Sequence, residues 1–397
     1  MINAVGGTRI GIVGTGWISR NFILNLERQA GLSPVKVLTR RPIEHVGDFP
    51  RPDLLTNSLN ELLDVSDVIV ECSGDPIHAT DVVDAAFRAG LPVVTMNAEF
   101  HVTAGSWFVG KGLLTEAAGD QPGVLALLDR EARSYGFEPM VYGNLKGFLN
   151  KNPTPEDMAY WSQRNGISLP MVTSFTDGTK VQIEQALVAN GLGADIATPG
   201  LLGPAIDSIQ GGADELCKYA EKIGKPIADY VLSGKLPHGV FVAGRGDPRQ
   251  KDALRYIKMG EGPYYVFLRH NIYVFLEIAN TVRELLDDGR ILLDNSRTPV
   301  ASVAAVSKRT LEPGEKIECG IGSFAVRGEA VRIADTPGHL PIGLLQNGVV
   351  KRRIAPDEVI SMDDVEIPET LASKAWREIE AGVLGETRQP LRPAMAG

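Results

Sequence analysis

Apolar positions in the first hundred residues switch repeatedly between two periods. The run "RIGIVGTG" is short, β-branched and ends in glycines, as a buried strand does, whereas "WISRNFILNLERQ" sets Ile18, Phe22, Ile23 and Leu26 at helical spacing. "PVKVLTRR" reads as a second strand, and "LNELLDVSDVIVECSG" as a helix plus a buried strand ending at Glu71 to Gly74. "IHATDVVDAAFRAG" is a helix with a glycine stop, and "LPVVTMNAEF" a further strand. Such alternation predicts an α/β fold with a doubly wound parallel sheet that receives ligands at the carboxyl ends of its strands. Those ends are Gly14–Gly16, Thr39–Arg41, Ser73–Gly74 and Asn97–Glu99.

Between about 144 and 298 the alternation stops. Thr154 with Pro155 opens a helix carrying Met158 and Trp161. A strand is expected over Met171–Thr176, a turn at Asp177–Gly178, and a helix ending at Gly191 or Gly193. Further on come another helix, a buried strand at Val240–Ala243, an aromatic-rich strand before Arg269–His270 and an apolar helix after it. From "DNSRTP" onward the pattern breaks into short β runs punctuated by glycines. "SKAWREIEAGVL" closes as an amphipathic helix, and "GETRQPLRPAMAG" is expected to be a mobile tail. The domains read as 1–143, an α+β unit over 144–298, a small all-β unit over 299–371, and a helix with tail over 372–397.

Bulk properties narrow the partners. The 397 residues carry 44% hydrophobic and 22% charged side chains, the balance of a globular chain. A net charge of −9 argues against nucleic acid or an anionic membrane surface. "YYVFLRHNIYVFLEIA" is broken by Arg269 and His270, so no stretch reaches the ~20 apolar residues of a membrane span. Cys72, Cys217 and Cys319 are widely spaced and read as inert thiols; with no basic-then-apolar leader, a reducing cytoplasm is expected.

At the first strand end, Gly14 allows a tight turn and Gly16 lets backbone approach a pyrophosphate at a helix N-terminus, with Thr15, Trp17 and Ile18 beside it. Strand, glycine turn and helix together predict a Rossmann nucleotide domain, with Ser73, Gly74, Asn97 and Glu99 completing the cofactor side. The second strand end offers Thr39, Arg40 and Arg41 where an acid would read the ribose of NAD. A guanidinium fork matches a phosphate, so NADP(H) is expected in preference to NAD(H).

Carbonyl reduction leaves an alkoxide that needs a proton, and a lysine can supply it. Lys180 lies in "TDGTK", one turn from Asp177, and is the preferred donor, with a pKa expected to be lowered at a helix N-terminus. Asp177 is expected to orient substrate or water. The structural alternative makes Asp177 a helix cap and pairs Lys180 with Glu184. Lys146 in "GNLKGF" is the rival acid and a candidate grip on a substrate anion; Asp120, Gln121 and His270 are further candidates for the substrate. Glu99, Asp120 and Asp177 lack metal-ligand spacing, so no metal is expected, although a divalent ion would serve a rearranging enzyme.

The stretch "DVIVECSGDPIHATDVVDAAFRAGLPVVTMNAE" resembles the homoserine dehydrogenase-like oxidoreductases. Asn97 matches that family's "TANK" segment, but its lysine has no counterpart here. Asp120, Pro122 and a Gly143–Gly147 turn correspond to later segments, and Asp177 with Lys180 corresponds approximately to its Asp–Lys pair. The "xxPGExI" and "APDEVISMDDV" phrases resemble the SAF domain, a small β-clip. A homoserine dehydrogenase-like front with a SAF tail resembles the deoxyxylulose-phosphate-reductoisomerase-like oxidoreductases. The resemblance implies NADPH-dependent reduction of a small, oxygenated carbonyl compound, phosphorylated or not; a homodimer or homotetramer is expected. Metal-assisted rearrangement with reduction, and a non-catalytic NADP sensor with the SAF module holding a partner, are the alternatives.

Overall fold

The computed structural model describes residues 7–387. Six strands and their helices open it: β1 (Thr8–Val13), α1 (Trp17–Leu26), β2 (Leu32–Leu38), β3 (Leu55–Thr56), α2 (Leu59–Val65), β4 (Val68–Glu71), α3 (Pro76–Arg88), β5 (Val93–Thr95), α4 (Ala98–Ala104) and β6 (Leu114–Glu116). They form one parallel sheet in the order β3-β2-β1-β4-β5-β6. The centre of the sheet, at Ile10, Ile12, Val13, Val68, Ile69, Val70, Val93 and Val94, is fully buried because helices cover both faces. The doubly wound sheet read from the sequence is present.

After α5 (Gln121–Ser134), β7 (Glu138–Lys146) leaves this sheet and joins another. Gly143, expected in a turn, lies inside β7, where a Cβ would stand 2.1 Å from the Phe241 ring. Helices α6 (Pro155–Asn165), α7 (Leu169–Thr176), α8 (Thr179–Gly191) and α9 (Ile209–Ile223) follow, then β8 (Ile227–Leu232), β9 (Gly239–Arg245), α10 (Lys251–Tyr256) and β10 (Tyr264–Arg269). The second sheet runs β10-β9-β7-β8, with only β7 and β8 parallel. Ser208 caps α9 and Gly224 stops it in the left-handed region, so its stripe Ala213, Leu216, Cys217 and Ala220 packs on Val141, Leu145 and Phe241.

Met171–Thr176, expected as a strand, is helical. A six-residue segment with β-branched Val172, Thr173 and Thr176 favours a strand by propensity and is too short for a period to separate the two states, and Pro170 favours a first helical turn. Helix α8 is buried on every side from Val181 to Asn190, as a central helix must be, and touches α4, α5 and α7.

Helix α11 (Ile278–Asp288) returns to the first layer, where Ile278, Ala279, Val282 and Leu285 join the core of β1 and β4. Strands β11 (Ala301–Ser307), β12 (Lys316–Cys319), β13 (Val326–Arg332), β14 (Gln346–Val350) and β15 (Val365–Glu366) form two small antiparallel sheets, β11-β13 and β12-β14-β15. Helix α12 (Leu371–Thr387) buries Ala372, Ala375, Trp376 and Ile379 against α3 and α4. The expected tail from 388 onward lies outside the described residues.

Two buried histidines set an acid limit. His339 is packed edge-on against Trp376 with Nδ1 2.7 Å from the Thr336 carbonyl oxygen, and burial pushes its pKa down to about 4. Burial pushes His101 down to about 3. An unfolded histidine takes up its proton near pH ~6.5. As pH falls through that value the unfolded chain gains protons that the fold refuses, so stability is intact above it and lost below it. For His339 the loss reaches about 3 kcal/mol near pH 4. Denaturant unfolding of His339→Gln across this range is expected to show about one proton fewer taken up on unfolding. An unchanged pH slope would contradict the assignment.

Candidate active site

The glycine turn is built where β1 hands over to α1. Gly14 has φ +98°, and a Cβ there would lie 2.9 Å from the Cys72 carbonyl oxygen. Only glycine fits this turn. Gly16 caps α1, and a Cβ on it would meet nothing within 4 Å, so the helix N-terminus faces open space. That cradle fits a dinucleotide's pyrophosphate.

Around the turn, the buried Thr15 hydroxyl is 3.3 Å from that of Thr39 and accepts from Arg41 at 2.7 Å. Arg41 also donates to the Thr15 carbonyl oxygen at 3.2 Å. Arg40 is exposed and reaches Asp75 at 2.8 Å. Asp75 caps α3 through the Ile77 and His78 amides. Burial opposes its charge, yet the His78 amide, Gln346 and Arg40 hold the carboxyl below its usual range. Both guanidiniums flank the glycine turn with donors to spare for a further anion.

Gly16, Trp17, Ile18, Ser73, Gly74 and Asp75 line one end of a cavity of about 710 Å³. Trp17 is held edge-on by Phe275, 5.5 Å between ring centres. Asn97, expected to touch the cofactor, is fully buried instead. It caps α4 by accepting from the Phe100 amide at 3.0 Å, and it donates to Glu71 at 2.9 Å. Its residue type serves a helix start as well as a ligand, which a sequence cannot separate.

At the other end three helix starts converge. Lys180, second residue of α8, lies 3.1 Å from Glu99 in the first turn of α4 and 3.4 Å from Asp120, the N-cap of α5. All three side chains are 12 to 15% exposed. Burial pulls the Lys180 ammonium down, but Asp120, Glu99 and Glu184 outweigh it and hold it well above the usual lysine range. This corrects the expectation of a lowered pKa. A helix N-terminus disfavours a cation by ~0.3–1 kcal/mol, whereas one carboxylate at this range attracts it by about 5 kcal/mol before desolvation, at an effective dielectric of ~20.

Lys146 ends β7 and lies 3.3 Å from Glu184, which also accepts from Asn144 at 2.8 Å. Burial raises the Glu184 carboxyl, with Lys146 pulling the other way. Gln121, with its amide nitrogen turned inward, donates to Glu184 at 3.2 Å and to Asp120. Glu184, read in the sequence only as a partner for Lys180, thus organises Lys146 and Gln121. The signal missed was tertiary: Asn144 and Glu184 lie forty residues apart.

Two candidates sit elsewhere. Asp177 caps the end of α7, and Gly178 at φ +90° breaks the chain before α8 begins, so Asp177 and Lys180 do not share a helix face. Its carboxylate is wholly buried, accepting from the Thr179 amide at 2.8 Å and pairing with Lys308 at 2.7 Å. Asp177 therefore does not line the cavity. His270 is exposed at the end of β10 and lines a smaller neighbouring cavity of about 390 Å³, which shares Gln121 and Lys146 with the larger one. Behind Lys180, burial and then Asp120 push Glu116 well above the usual carboxylate range, and His101 Nε2 is 3.4 Å away. Among the described residues no group of three His, Cys, Asp or Glu is placed to hold a metal ion.

The remaining walls come from segments the sequence did not flag: Pro170, Met171 and Phe175 of α7, and Cys319, Ile321 and Gln346 of the β domain. Together the walls enclose a path from the glycine turn to Lys180.

Two family models match successive parts of the chain. Residues 10–105 match the family model described as homoserine dehydrogenase, NAD binding domain, and residues 119–278 match the model described as oxidoreductase DRL, catalytic domain. No curated protein matches the chain. Among solved structures it is similar to a UDP-N-acetylglucosamine 3-dehydrogenase from Acidithiobacillus ferrooxidans, at 13% identity over 73% of this chain and 92% of that one, with a TM-score of 0.42. A probable dehydrogenase from Thermotoga maritima is similar at 12% identity over 71% and 90%, also with a TM-score of 0.42. A dehydrogenase from Clostridium difficile gives 13% identity over 71% and 91%, with a TM-score of 0.38. With a nicotinamide-nucleotide model over its first sheet and an oxidoreductase catalytic model over the second sheet and its helices, the chain is an NAD(P)-dependent oxidoreductase.

Proposed function

We propose that this oxidoreductase uses NADPH to reduce the carbonyl of a small, polar, hydroxylated substrate, with Lys180 as proton donor. One observation carries the reading: a single cavity holds the Gly16 helix start at one end and the Lys180–Glu99–Asp120 cluster at the other. The bound dinucleotide would supply the hydride. Lys180, kept charged by its two carboxylates, would face the carbonyl oxygen and stabilise negative charge developing there. Its raised pKa is no obstacle, because an alkoxide is a far stronger base than an amine and takes the ammonium proton downhill. Glu99 and Asp120 orient the ammonium and offer acceptors to substrate hydroxyls. Lys146 and Gln121, fixed by Glu184, are positioned to hold the substrate's other polar groups. The likeness of the β domain to a SAF module, and its place as a cavity wall, belong to the same reading.

Lys180→Ala is expected to lower the rate of NADPH oxidation by a factor of ~100 or more in a screen of hydroxylated aldehydes and ketones, with NADPH affinity nearly unchanged. Near-normal turnover would move the donor role to Lys146. NADPH is expected to bind at least ~10-fold tighter than NADH by fluorescence titration, and Arg40→Ala with Arg41→Ala to erase the difference. Equal affinities in the unaltered chain would defeat the cofactor preference.

A further inference from the structure

The β domain supplies no group to the proton transfer just described, yet Cys319, Ile321, Ile342, Gly343 and Gln346 line the same cavity as Gly16, Ser73 and Asp75. We propose that this face is the second half of the dinucleotide site, so that the cofactor is held between the glycine turn and the β domain. The proposal rests on the reading of the cavity as a nicotinamide-dinucleotide site.

Three sets of contacts fix the face in position. On the nucleotide side, the Gln346 amide nitrogen donates to Asp75 at 3.1 Å. A Cβ on Gly343 would stand 2.2 Å from the Thr103 hydroxyl and 3.1 Å from Pro76, so this turn sits hard against α3 and α4. On the catalytic side, Lys308 and Asp177 form a buried pair, and the Gly328 and Ala330 amides donate to Thr179 and Gln182 of α8 at 2.9 and 2.8 Å. Beside α7, a Cβ on Gly322 would lie 2.2 Å from the Pro170 carbonyl oxygen. The domain is thus bound to both α3 and the helix that carries Lys180. Breaking a buried pair such as Lys308–Asp177 is costly, so the face is a fixed wall and not a swinging lid.

The chemistry of the face suits the role. The Gln346 nitrogen is spent on Asp75, which aims its carbonyl oxygen as an acceptor for a ribose hydroxyl. Ile321 and Ile342 add apolar contact, the exposed Glu318 offers an acceptor suited to hydroxyls and not to phosphates, and among the described residues no arginine or lysine of this domain lines the cavity, so the phosphates stay at the glycine turn. Excluding water from this side strengthens every electrostatic contact around Lys180.

Cys319 provides the test. It is exposed on the cavity wall, whereas Cys72 and Cys217 are buried. With the full-length chain, maleimide modification of Cys319, followed by peptide mass at mildly alkaline pH, is expected to slow about tenfold when NADPH is bound. Gln346→Leu is expected to weaken NADPH about five- to tenfold while lowering Tm only slightly, since Arg40 and the Ile77 and His78 amides still hold Asp75 and the other contacts still fix the domain. If NADPH binds by fluorescence but neither protects Cys319 nor responds to Gln346→Leu, the β domain is not part of the site and the proposal falls alone. If the unaltered chain binds neither NADPH nor NADH, the cofactor reading and the proposal fall together.

Discussion

A buried ammonium between two carboxylates is the constraint around which this molecule is arranged. Lys180 can stay charged at 12% exposure only because Glu99 and Asp120 reach it from two other helix starts. Each carboxylate sits where a helix dipole favours it, and the lysine sits where the dipole opposes it. The carboxylates win by a wide margin, so three helices from different parts of the chain must begin at one point. That requirement ties the first sheet, whose fifth strand leads into the helix carrying Glu99, to the central helix α8. Taking away the lysine would leave two buried acids without a counter-ion, a change that typically costs several kcal/mol or forces protonation.

The rest of the site depends on this arrangement. Glu184, one turn beyond Lys180, brings Lys146 and Gln121 to the same cavity. Asp177, left outside α8 by the break at Gly178, is free to anchor the β domain through Lys308. One short segment, 177–184, therefore carries the chemistry on one side and the clamp to the C-terminal domain on the other.

What the sequence revealed depended on how local the signal was. The glycine turn was legible because a β-branched run, two glycines and a helical stripe have one joint reading. The alternation over the first hundred residues was legible for the same reason, whereas Glu99, read as a strand end on the cofactor side, lies in the first turn of α4 against Lys180. The helix over Met171–Thr176 was hidden because six residues, three of them β-branched, are too few to show a period. Asn97 was misplaced because an asparagine that caps a helix looks like one that binds a ligand. Asp177 and Lys180 looked like neighbours on one face because nothing but the φ of Gly178 shows that they belong to different helices. Glu184 with Lys146, and Asp177 with Lys308, join residues 38 and 131 positions apart, and no local pattern predicts such pairs.

The charge state of Lys180 is the point on which the account stands or falls. The most direct measurement is nitrogen-15 NMR of the lysine side chains across an alkaline titration, with the Lys180 signal assigned by its absence in a variant at that position. The account predicts a protonated ammonium that persists beyond the ordinary lysine range, because Asp120, Glu99 and Glu184 hold its proton. A signal that becomes a neutral amine near neutral pH would contradict it, and would mean that burial, not the carboxylates, governs the centre of the site.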